Sequence, residues 1–205
     1  MRIITGSARG IVLETLPGLE TRPTADRVKE ALFSMIQFDI EGRRVLDLFA
    51  GSGQLGLEAL SRGAAGATFI DSSREAVDVI LRNAAKTKLK ERCRVAVYDF
   101  SSYLKNGKFD EKYDIIFLDP PYNTSCMHEA LSLIAAGGVL REGGFVVCET
   151  DTDVEERRKK KKVVRDDDAD VMRDVFSGDE ELRSAYEIER TSRYGRSRIT
   201  VLTLA

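Results

Sequence analysis

The chain has 205 residues, of which 42% are hydrophobic, and its formal net charge is −2 at pH 7. These values predict one principal globular domain, and the sequence shows neither a secretory signal at Met1 nor the roughly 18 unbroken apolar residues of a membrane helix. The small negative charge argues against indiscriminate binding of polyanions, so a nucleic-acid substrate would need a local basic patch. We expect a cytoplasmic protein without a metal site or a disulfide framework, because no CxxC spacing relates its cysteines, which are Cys93, Cys126 and Cys148.

Strand and helix patterns alternate through most of the chain. A helix begins at Pro23 and Thr24 and continues through an apolar stripe at helical spacing. Further helices are predicted at 54–62, after Ser72 or Ser73, and at 124–136. Strands are predicted at 45–49, 67–71, 94–98, 113–118 and 144–149. Such alternation predicts a parallel sheet with crossover helices.

The C-terminal part has a different pattern. Two predicted strands, at 185–191 and 197–204, flank Tyr194-Gly195, a turn typical of a hairpin, and we expect the last strand to be antiparallel. Before them lies a charged insertion, residues 151–184, whose structure the sequence does not specify. We interpret its basic run, Arg157–Lys162, as a solvated helix or loop, because acidic residues on both sides nearly neutralise it. A phosphate contact is the alternative.

A glycine-rich loop follows the first predicted strand. Gly51-Ser52-Gly53-Gln54-Leu55-Gly56 fits the GxGxxG pattern between a strand and a helix, with Asp71 twenty residues after the first glycine. The same pattern binds dinucleotides, but Asp47 just before the loop would repel a pyrophosphate and attract the ammonium group of a methionine moiety. The loop therefore favours S-adenosylmethionine over NAD.

Acidic residues end three successive predicted strands, at the edge where ligands bind in such sheets. We expect Asp71 to accept hydrogen bonds from ribose hydroxyls, and Asp99 to accept the adenine amino group beside Phe100. Each residue alone has a structural alternative, since strand-end aspartates also cap helices and glycines ease tight turns. Together they predict a cofactor site formed by Asp47, Phe49, Ala50, Gly51, Ser52, Gly53, Asp71, Ser72, Asp99 and Phe100.

The tetrapeptide Asp119-Pro120-Pro121-Tyr122 ends the apolar run Tyr113–Leu118. The Asp119 carboxylate and the Pro120 carbonyl are hydrogen-bond acceptors, and prolines have a fixed φ and no N–H. If each acceptor takes one N–H of an exocyclic amino group on a purine, the nitrogen lone pair can point at a sulfonium methyl while Tyr122 stacks on the base. We predict catalytic roles for all four residues. The structural alternative is that a proline simply stops a strand.

Two other reactive side chains near this motif are weaker candidates. His128 is the only histidine and has no Ser or Cys partner at motif spacing, so we interpret it as helix surface. Cys126 lies close enough to attack a pyrimidine ring, but the neighbouring amino-group motif favours amino methylation.

Several blocks of the sequence resemble the RsmD family of bacterial small-subunit ribosomal RNA methyltransferases, which modify the N2 amino group of a guanine. The matching blocks are Arg22–Phe33, Val45–Gly53, Leu55–Ala64, Asp119–Tyr122 and Tyr194-Gly195. The resemblance implies a Rossmann-like α/β methyltransferase domain in residues 23–205. Its seven-stranded sheet would be mostly parallel with an antiparallel last strand, and residues 1–22 would form a small N-terminal β-hairpin extension.

The resemblance also implies the reaction and its partners. The cofactor would be S-adenosylmethionine and the substrate 16S ribosomal RNA within a partly assembled small subunit. Candidates for RNA contacts are Arg9, Arg22 and Arg27, in or near the extension, with surface salt bridges as the alternative. The sequence departs from the family in the long segment 151–184 and at Ser72-Ser73, where another acidic residue is common, which leaves the ribose contact to Asp71.

Three other functions remain open at the level of sequence. An adenine-N6 methyltransferase of DNA would use the same motif, but the short gap between the glycine loop and Asp119 leaves no room for a target-recognition insert. A nicotinamide-dependent oxidoreductase would share the GxGxxG pattern, and would be stabilised by NAD rather than by S-adenosylmethionine. A non-catalytic RNA-binding module would transfer no methyl group from labelled cofactor.

Overall fold

A seven-stranded sheet forms the centre of the computed structural model, which describes residues 1–16, 23–107, 112–121, 125–151 and 167–205. The strands are β1 (Arg44–Asp47), β2 (Gly66–Asp71), β3 (Cys93–Val97), β4 (Tyr113–Leu118), β5 (Leu140–Asp151), β6 (Tyr186–Tyr194) and β7 (Ser197–Leu204). Their order across the sheet is β3-β2-β1-β4-β5-β7-β6, and within it β7 runs antiparallel to both neighbours. The predicted fold class, a mostly parallel sheet with an antiparallel last strand, is confirmed.

Helices cover both faces of the sheet. They are α1 (Pro23–Met35), α2 (Gln54–Ser61), α3 (Arg74–Lys86), α4 (Phe100–Asn106), α5 (Cys126–Gly137), α6 (Asp167–Asp174) and α7 (Glu180–Ser184), with a 3-10 turn at Lys90–Arg92. The predicted α1, α2, α3 and α5 are confirmed, and Ser73 caps α3 by accepting from the Ala76 N–H at 3.3 Å. In the described parts of the chain, no helix is both long and apolar enough to cross a membrane.

Strand β4 contributes to two apolar cores. All its residues are buried, and successive side chains point to opposite faces of the sheet. Ile115 and Phe117 belong to the core shared with α1, α2 and α3, whereas Ile116 and Leu118 belong to the core shared with α5, α6 and α7. A parallel strand buried on both faces gives a nearly continuous apolar run, interrupted in β4 by Asp114, and the bounds of β4 match the prediction for this reason.

The N-terminal residues form a turn rather than the predicted β-hairpin. A single antiparallel bridge joins Arg2 to Val12, and no strand forms within residues 1–16. The Ile4 and Thr5 N–H groups, which a longer ladder would use, donate instead to the Glu58 carboxylate of α2 at 2.7 and 3.0 Å. The prediction of two strands is therefore wrong, because a buried side chain replaces a second strand as the acceptor. Residues 17–22 lie outside the described ranges.

The described end of the charged segment packs on the sheet. Both α6 and α7 contribute apolar side chains to the core on the α5 face. The buried Arg198 guanidinium of β7 lies 3.0 Å from Asp170 and 3.3 Å from Asp174. Residues 167–184 are therefore held to the last strand by apolar contacts and buried ion pairs. The basic run Arg157–Lys162 lies outside the described residues.

The last two strands form the predicted hairpin. Its turn contains Gly195 with φ 62°, and a bulge between Ile188 and Arg190 lengthens β6. Strand β7 pairs with β5, and Ser197 lies opposite Asp151 in the register. The hairpin turn is thereby brought to the carboxyl end of β5.

Candidate active site

The carboxyl ends of the parallel strands border a cavity of about 890 Å³. It lies across β1 and β4, where the strand order reverses and where open α/β sheets bind ligands. Predicted site residues in its wall are Asp47, Phe49, Ala50, Gly51, Ser52, Asp71, Ser72, Asp99, Phe100, Asp119, Pro120 and Pro121. The glycine loop and the motif at Asp119 thus face one cavity. Tyr122 lies outside the described residues, and the roles of all these side chains toward ligands remain predictions.

The glycine loop is held in shape by its own backbone and by Asp71. Gly51 and Gly53 have φ values of 54° and 78°, in the left-handed region that favours glycine. The Gly51 N–H donates to Asp71 Oδ2 at 2.8 Å. Gly56 packs on Phe69 of β2 so closely that a Cβ atom at position 56 would lie 2.3 Å from the ring. The loop is therefore preformed, and Gly53 is buried beneath it instead of lining the cavity.

Asp47 is a buried carboxyl group in the cavity wall. Its Oδ2 accepts from the Gly56 N–H at 3.2 Å, while its Oδ1 has no hydrogen-bond partner within the described residues. Burial raises the pKa of Asp47 to about 7; the Gly56 and Phe49 N–H groups oppose this rise, and the Asp71 charge adds to it. A buried carboxylate oxygen that lacks a donor fits a ligand that carries a positive charge.

Asp71 and Asp99 already accept hydrogen bonds that fix the local backbone. Asp71 accepts from backbone N–H groups with both carboxylate oxygens, at 2.8 and 2.9 Å. Asp99 caps α4, and its bonds from the Ser102 N–H and the Ser101 hydroxyl lower its pKa. The capping alternative is therefore confirmed for Asp99. Because a carboxylate offers about four acceptor positions, both side chains can still accept from a ligand.

Three aromatic rings stand on the β3 side of the cavity. Phe49 and Phe100 are in contact, with 4.9 Å between ring centroids and an interplanar angle of 45°. Tyr98 also lines the cavity and contacts Tyr103 edge-on at 6.0 Å between centroids. The sequence interpretation missed Tyr98 as a site residue. Its position directly before Asp99 was the available signal.

Asp119 and Glu149 lie side by side on neighbouring strands. Leu118 of β4 pairs with Cys148 of β5, so the residues that follow them are adjacent, and both line the cavity. Burial, the Glu149 charge and the Asp47 charge raise the pKa of Asp119 well above its usual range. The sequence interpretation missed Glu149 as a site residue because it treated Glu149 only as the last residue of a predicted strand. An acidic residue that ends an apolar strand was the available signal for a site residue.

The turn before β7 forms the opposite rim of the cavity. Arg196 and Ser197 line it together with Asp151, and Arg196 Nη2 lies 3.0 Å from Asp151 Oδ2. Burial raises the pKa of Glu149, and a hydrogen bond from the Ser197 side chain opposes this rise. No motif in the sequence indicated these residues, because antiparallel pairing with β5 places them at the cavity.

The weaker candidates lie elsewhere. His128 on α5 is half-buried, with Nε2 2.9 Å from Asp179 Oδ2, and neither it nor the half-buried Cys126 lines the cavity. In the described ranges no group of His, Cys, Asp and Glu side chains is arranged to hold a metal ion.

The predicted RNA contacts lie on elements next to the cavity. Arg9 in the N-terminal turn and Arg27 on α1 are both exposed, and Arg22 lies outside the described residues. Met1 and Val28, from the same two elements, line the cavity. Arg27 directly precedes Val28, whereas the Ala8 N–H beside Arg9 donates to Ser61 at the C-terminal end of α2, away from the glycine loop.

Known proteins match both the sequence and the fold. The family model described as "Conserved hypothetical protein 95" matches residues 1–173. YlbH of Bacillus subtilis, named as a candidate rRNA methyltransferase, is 42% identical over 156 residues, which are 76% of this chain and 85% of that protein. "Ribosomal RNA small subunit methyltransferase D" of Haemophilus influenzae is 36% identical over 154 residues, which are 75% of this chain and 80% of that protein.

A solved structure agrees over the whole chain. The Escherichia coli protein yhhF, described as a candidate methyltransferase, superposes with a TM-score of 0.74 at 30% identity. The match covers 100% of this chain and 97% of the other. The architecture described above is therefore shared with that protein.

Proposed function

This chain belongs to the RsmD family, whose model is described as "Conserved hypothetical protein 95", and we propose that it transfers a methyl group from S-adenosylmethionine to the N2 amino group of a guanine in 16S ribosomal RNA. The observation that carries this proposal is one cavity in which Asp119 and Pro120 face the preformed glycine loop. The names of the relatives support an rRNA substrate.

The cavity fits the cofactor on the side of β1, β2 and β3. S-adenosylmethionine supplies a methyl group on a positively charged sulfonium. Asp47 Oδ1, which has no hydrogen-bond partner in the described part of the chain, would accept from the methionine ammonium, and the glycine loop would lie along the methionine moiety. Asp71 would accept from the ribose hydroxyls and Asp99 from the adenine amino group, while the ring of Phe100 offers an apolar surface to the base.

Asp119 and Pro120 would hold the amino group of the acceptor. The Asp119 carboxylate accepts one N2 hydrogen and the Pro120 carbonyl accepts the other, and neither proline has an N–H that competes. The lone pair of the nitrogen is then directed away from the purine ring and would form the new N–C bond as the bond between the methyl group and the sulfonium breaks, with S-adenosylhomocysteine as the leaving group. The nitrogen loses one of its two protons after it gains the methyl group, and a carboxylate with a raised pKa, as at Asp119, is suited to take that proton.

The substrate proposal extends to the small ribosomal subunit during assembly. Arg9 and Arg27 are exposed on the elements beside the cavity and would contact phosphates, which position a nucleic acid without reading its sequence. The net charge of −2 limits unspecific attraction to RNA, so ribosomal proteins would contribute to docking.

The test is a methyl-transfer assay with product identification. The protein is incubated with labelled S-adenosylmethionine and either undermodified small subunits or free 16S rRNA, and the nucleosides are separated by mass spectrometry. We expect label in N2-methylguanosine. Label in N6-methyladenosine would replace the proposal by the adenine alternative, and an unlabelled product together with stabilisation by NAD would replace it by the oxidoreductase.

A further inference from the structure

The acceptor half of the cavity contains a second carboxylate that the proposed reaction does not use. Glu149 ends β5 next to Asp119, and β4 separates it from β1, which carries Asp47. Asp119 therefore lies between the cofactor side of the cavity and Glu149. A purine whose amino group was held at Asp119 would extend its adjoining ring edge toward β5.

The side chains beyond Asp119 are fixed by their own partners. Ser197 donates a side-chain hydrogen bond to the Glu149 carboxyl group. The Arg196 guanidinium is held by Asp151 at 3.0 Å, and both residues line the cavity. Following the strand order β4, β5, β7, the wall therefore presents two carboxyl acceptors and then a guanidinium donor.

This order of two acceptors and one donor complements guanine and not adenine. The pairing edge of guanine carries two donors, N2–H and N1–H, followed by the O6 acceptor, whereas adenine has an acceptor at N1. We infer that Glu149 selects guanine by accepting the hydrogen bond of its N1–H while Asp119 holds the N2 amino group, an inference that rests on the proposed function. Arg196 is placed to donate to O6.

The selectivity follows from the cost of leaving an acceptor position of the Glu149 carboxylate without a donor. Burial raises the pKa of both Asp119 and Glu149, and the charge of Glu149 raises that of Asp119 further. Each ionised carboxylate therefore gains more from an N–H donor here than it would in water. A base without N1–H leaves Glu149 with the Ser197 hydrogen bond alone, and sites built to hydrogen-bond a substrate group reject analogues that lack it.

The experiment compares guanine with 2-aminopurine, which carries the same 2-amino group but has an acceptor at N1 and no oxygen at C6. Full-length 16S rRNA is made by splinted ligation with either base at the position that the wild-type protein methylates, and is assembled with small-subunit proteins. Methyl transfer gives kcat/KM for each RNA, and the fluorescence of 2-aminopurine gives its binding directly. The variant is Glu149→Gln, because the glutamine amide can donate to the N1 acceptor. Glu142→Gln is the control, since Glu142 is exposed near the other end of β5.

We expect the wild-type protein and Glu142→Gln to prefer guanine by on the order of 100-fold or more. Glu149→Gln should lower this preference by about tenfold or more, because the missing O6 affects both proteins alike, and should tighten binding of the 2-aminopurine RNA with unchanged affinity for S-adenosylhomocysteine. An unchanged preference in Glu149→Gln overturns this inference alone. A wild-type protein that forms no N2-methylguanosine overturns the proposed function and this inference with it.

Discussion

Lys29 and Glu58 form a buried ion pair, with 3.8 Å between Lys29 Nζ and Glu58 Oε2 and at most 2% of either side chain exposed. Glu58 also accepts from the Ile4 and Thr5 N–H groups, and Lys29 Nζ donates to the Arg2 carbonyl at 2.6 Å. One carboxylate therefore joins α1 and α2 to the N-terminal turn. Met1, at the start of that turn, lines the cavity.

Replacing this carboxylate should destabilise the fold. Glu58→Gln removes the charge opposite Lys29 and places an amide NH₂ near backbone donors, so the free energy of unfolding should fall by about 3 kcal/mol. Urea denaturation followed by circular dichroism measures this change. The control is Glu14→Gln, because the Glu14 to Arg82 pair at 2.7 Å is about half exposed and should contribute less than about 1 kcal/mol. Equal losses of unfolding free energy in Glu58→Gln and Glu14→Gln would show that the buried pair contributes no more than the exposed one.

Asp119→Ala should lower turnover by about 100-fold or more, because the amino group loses one preorganised acceptor. Initial rates of methyl transfer to small subunits measure turnover, and calorimetric titration with S-adenosylhomocysteine checks that the cofactor side is intact. Asp78→Ala, on the partly exposed surface of α3, is the control and should retain full activity. A near-normal rate for Asp119→Ala would refute the assigned role.

Affinity for S-adenosylhomocysteine should rise with pH across neutrality. The pKa of Asp47 is about 7 in the free protein, so Asp47 is mostly neutral at pH 6 and mostly ionised at pH 8, when it attracts the ligand ammonium. If binding keeps Asp47 ionised, the dissociation constant should fall by about tenfold between these values. Calorimetric titration at both pH values tests this, and Asp47→Asn should bind weakly with little pH dependence. If the affinity of Asp47→Asn for S-adenosylhomocysteine still rises with pH, the titrating group is not Asp47.

Gly56→Ala should destabilise the protein, because the new methyl group would lie 2.3 Å from the Phe69 ring and force α2 away from β2. We expect a loss of about 1 to 3 kcal/mol in the free energy of unfolding. Gly137→Ala is the matched helical control, since its methyl group would have its nearest neighbour at 3.8 Å. Thermal denaturation should therefore show a lower melting temperature for the first variant and an equal or higher one for the second.

The sequence predicted best where the local pattern and the tertiary environment agree. The bounds of β4 were predicted correctly because both faces of the strand are buried and Pro120 stops the ladder. Helix α4 was missed because it is short and contributes a single fully buried residue, Leu104. The N-terminal strands were predicted wrongly because the competing acceptor, Glu58, lies more than fifty residues away in sequence.

The candidate site was predicted on the side of the glycine loop and missed on the side of β5 and β7. Asp47, Asp71 and Asp119 each follow or end a parallel strand, so the fold class alone places them at one edge. Arg196 and Ser197 reach that edge through antiparallel pairing between β5 and β7, and the sequence does not give the register of that pairing. Glu149 could have been found by applying the strand-end argument to β5.

The insertion of β7 between β5 and β6 has a consequence for synthesis on the ribosome. While residues 152–196 are being translated, the hydrogen-bonding edge of β5 has no neighbouring strand, because its partner is β7, residues 197–204. Open edges of this kind recruit other chains, so nascent protein should be prone to aggregation during that interval and should benefit from chaperones that shield β5.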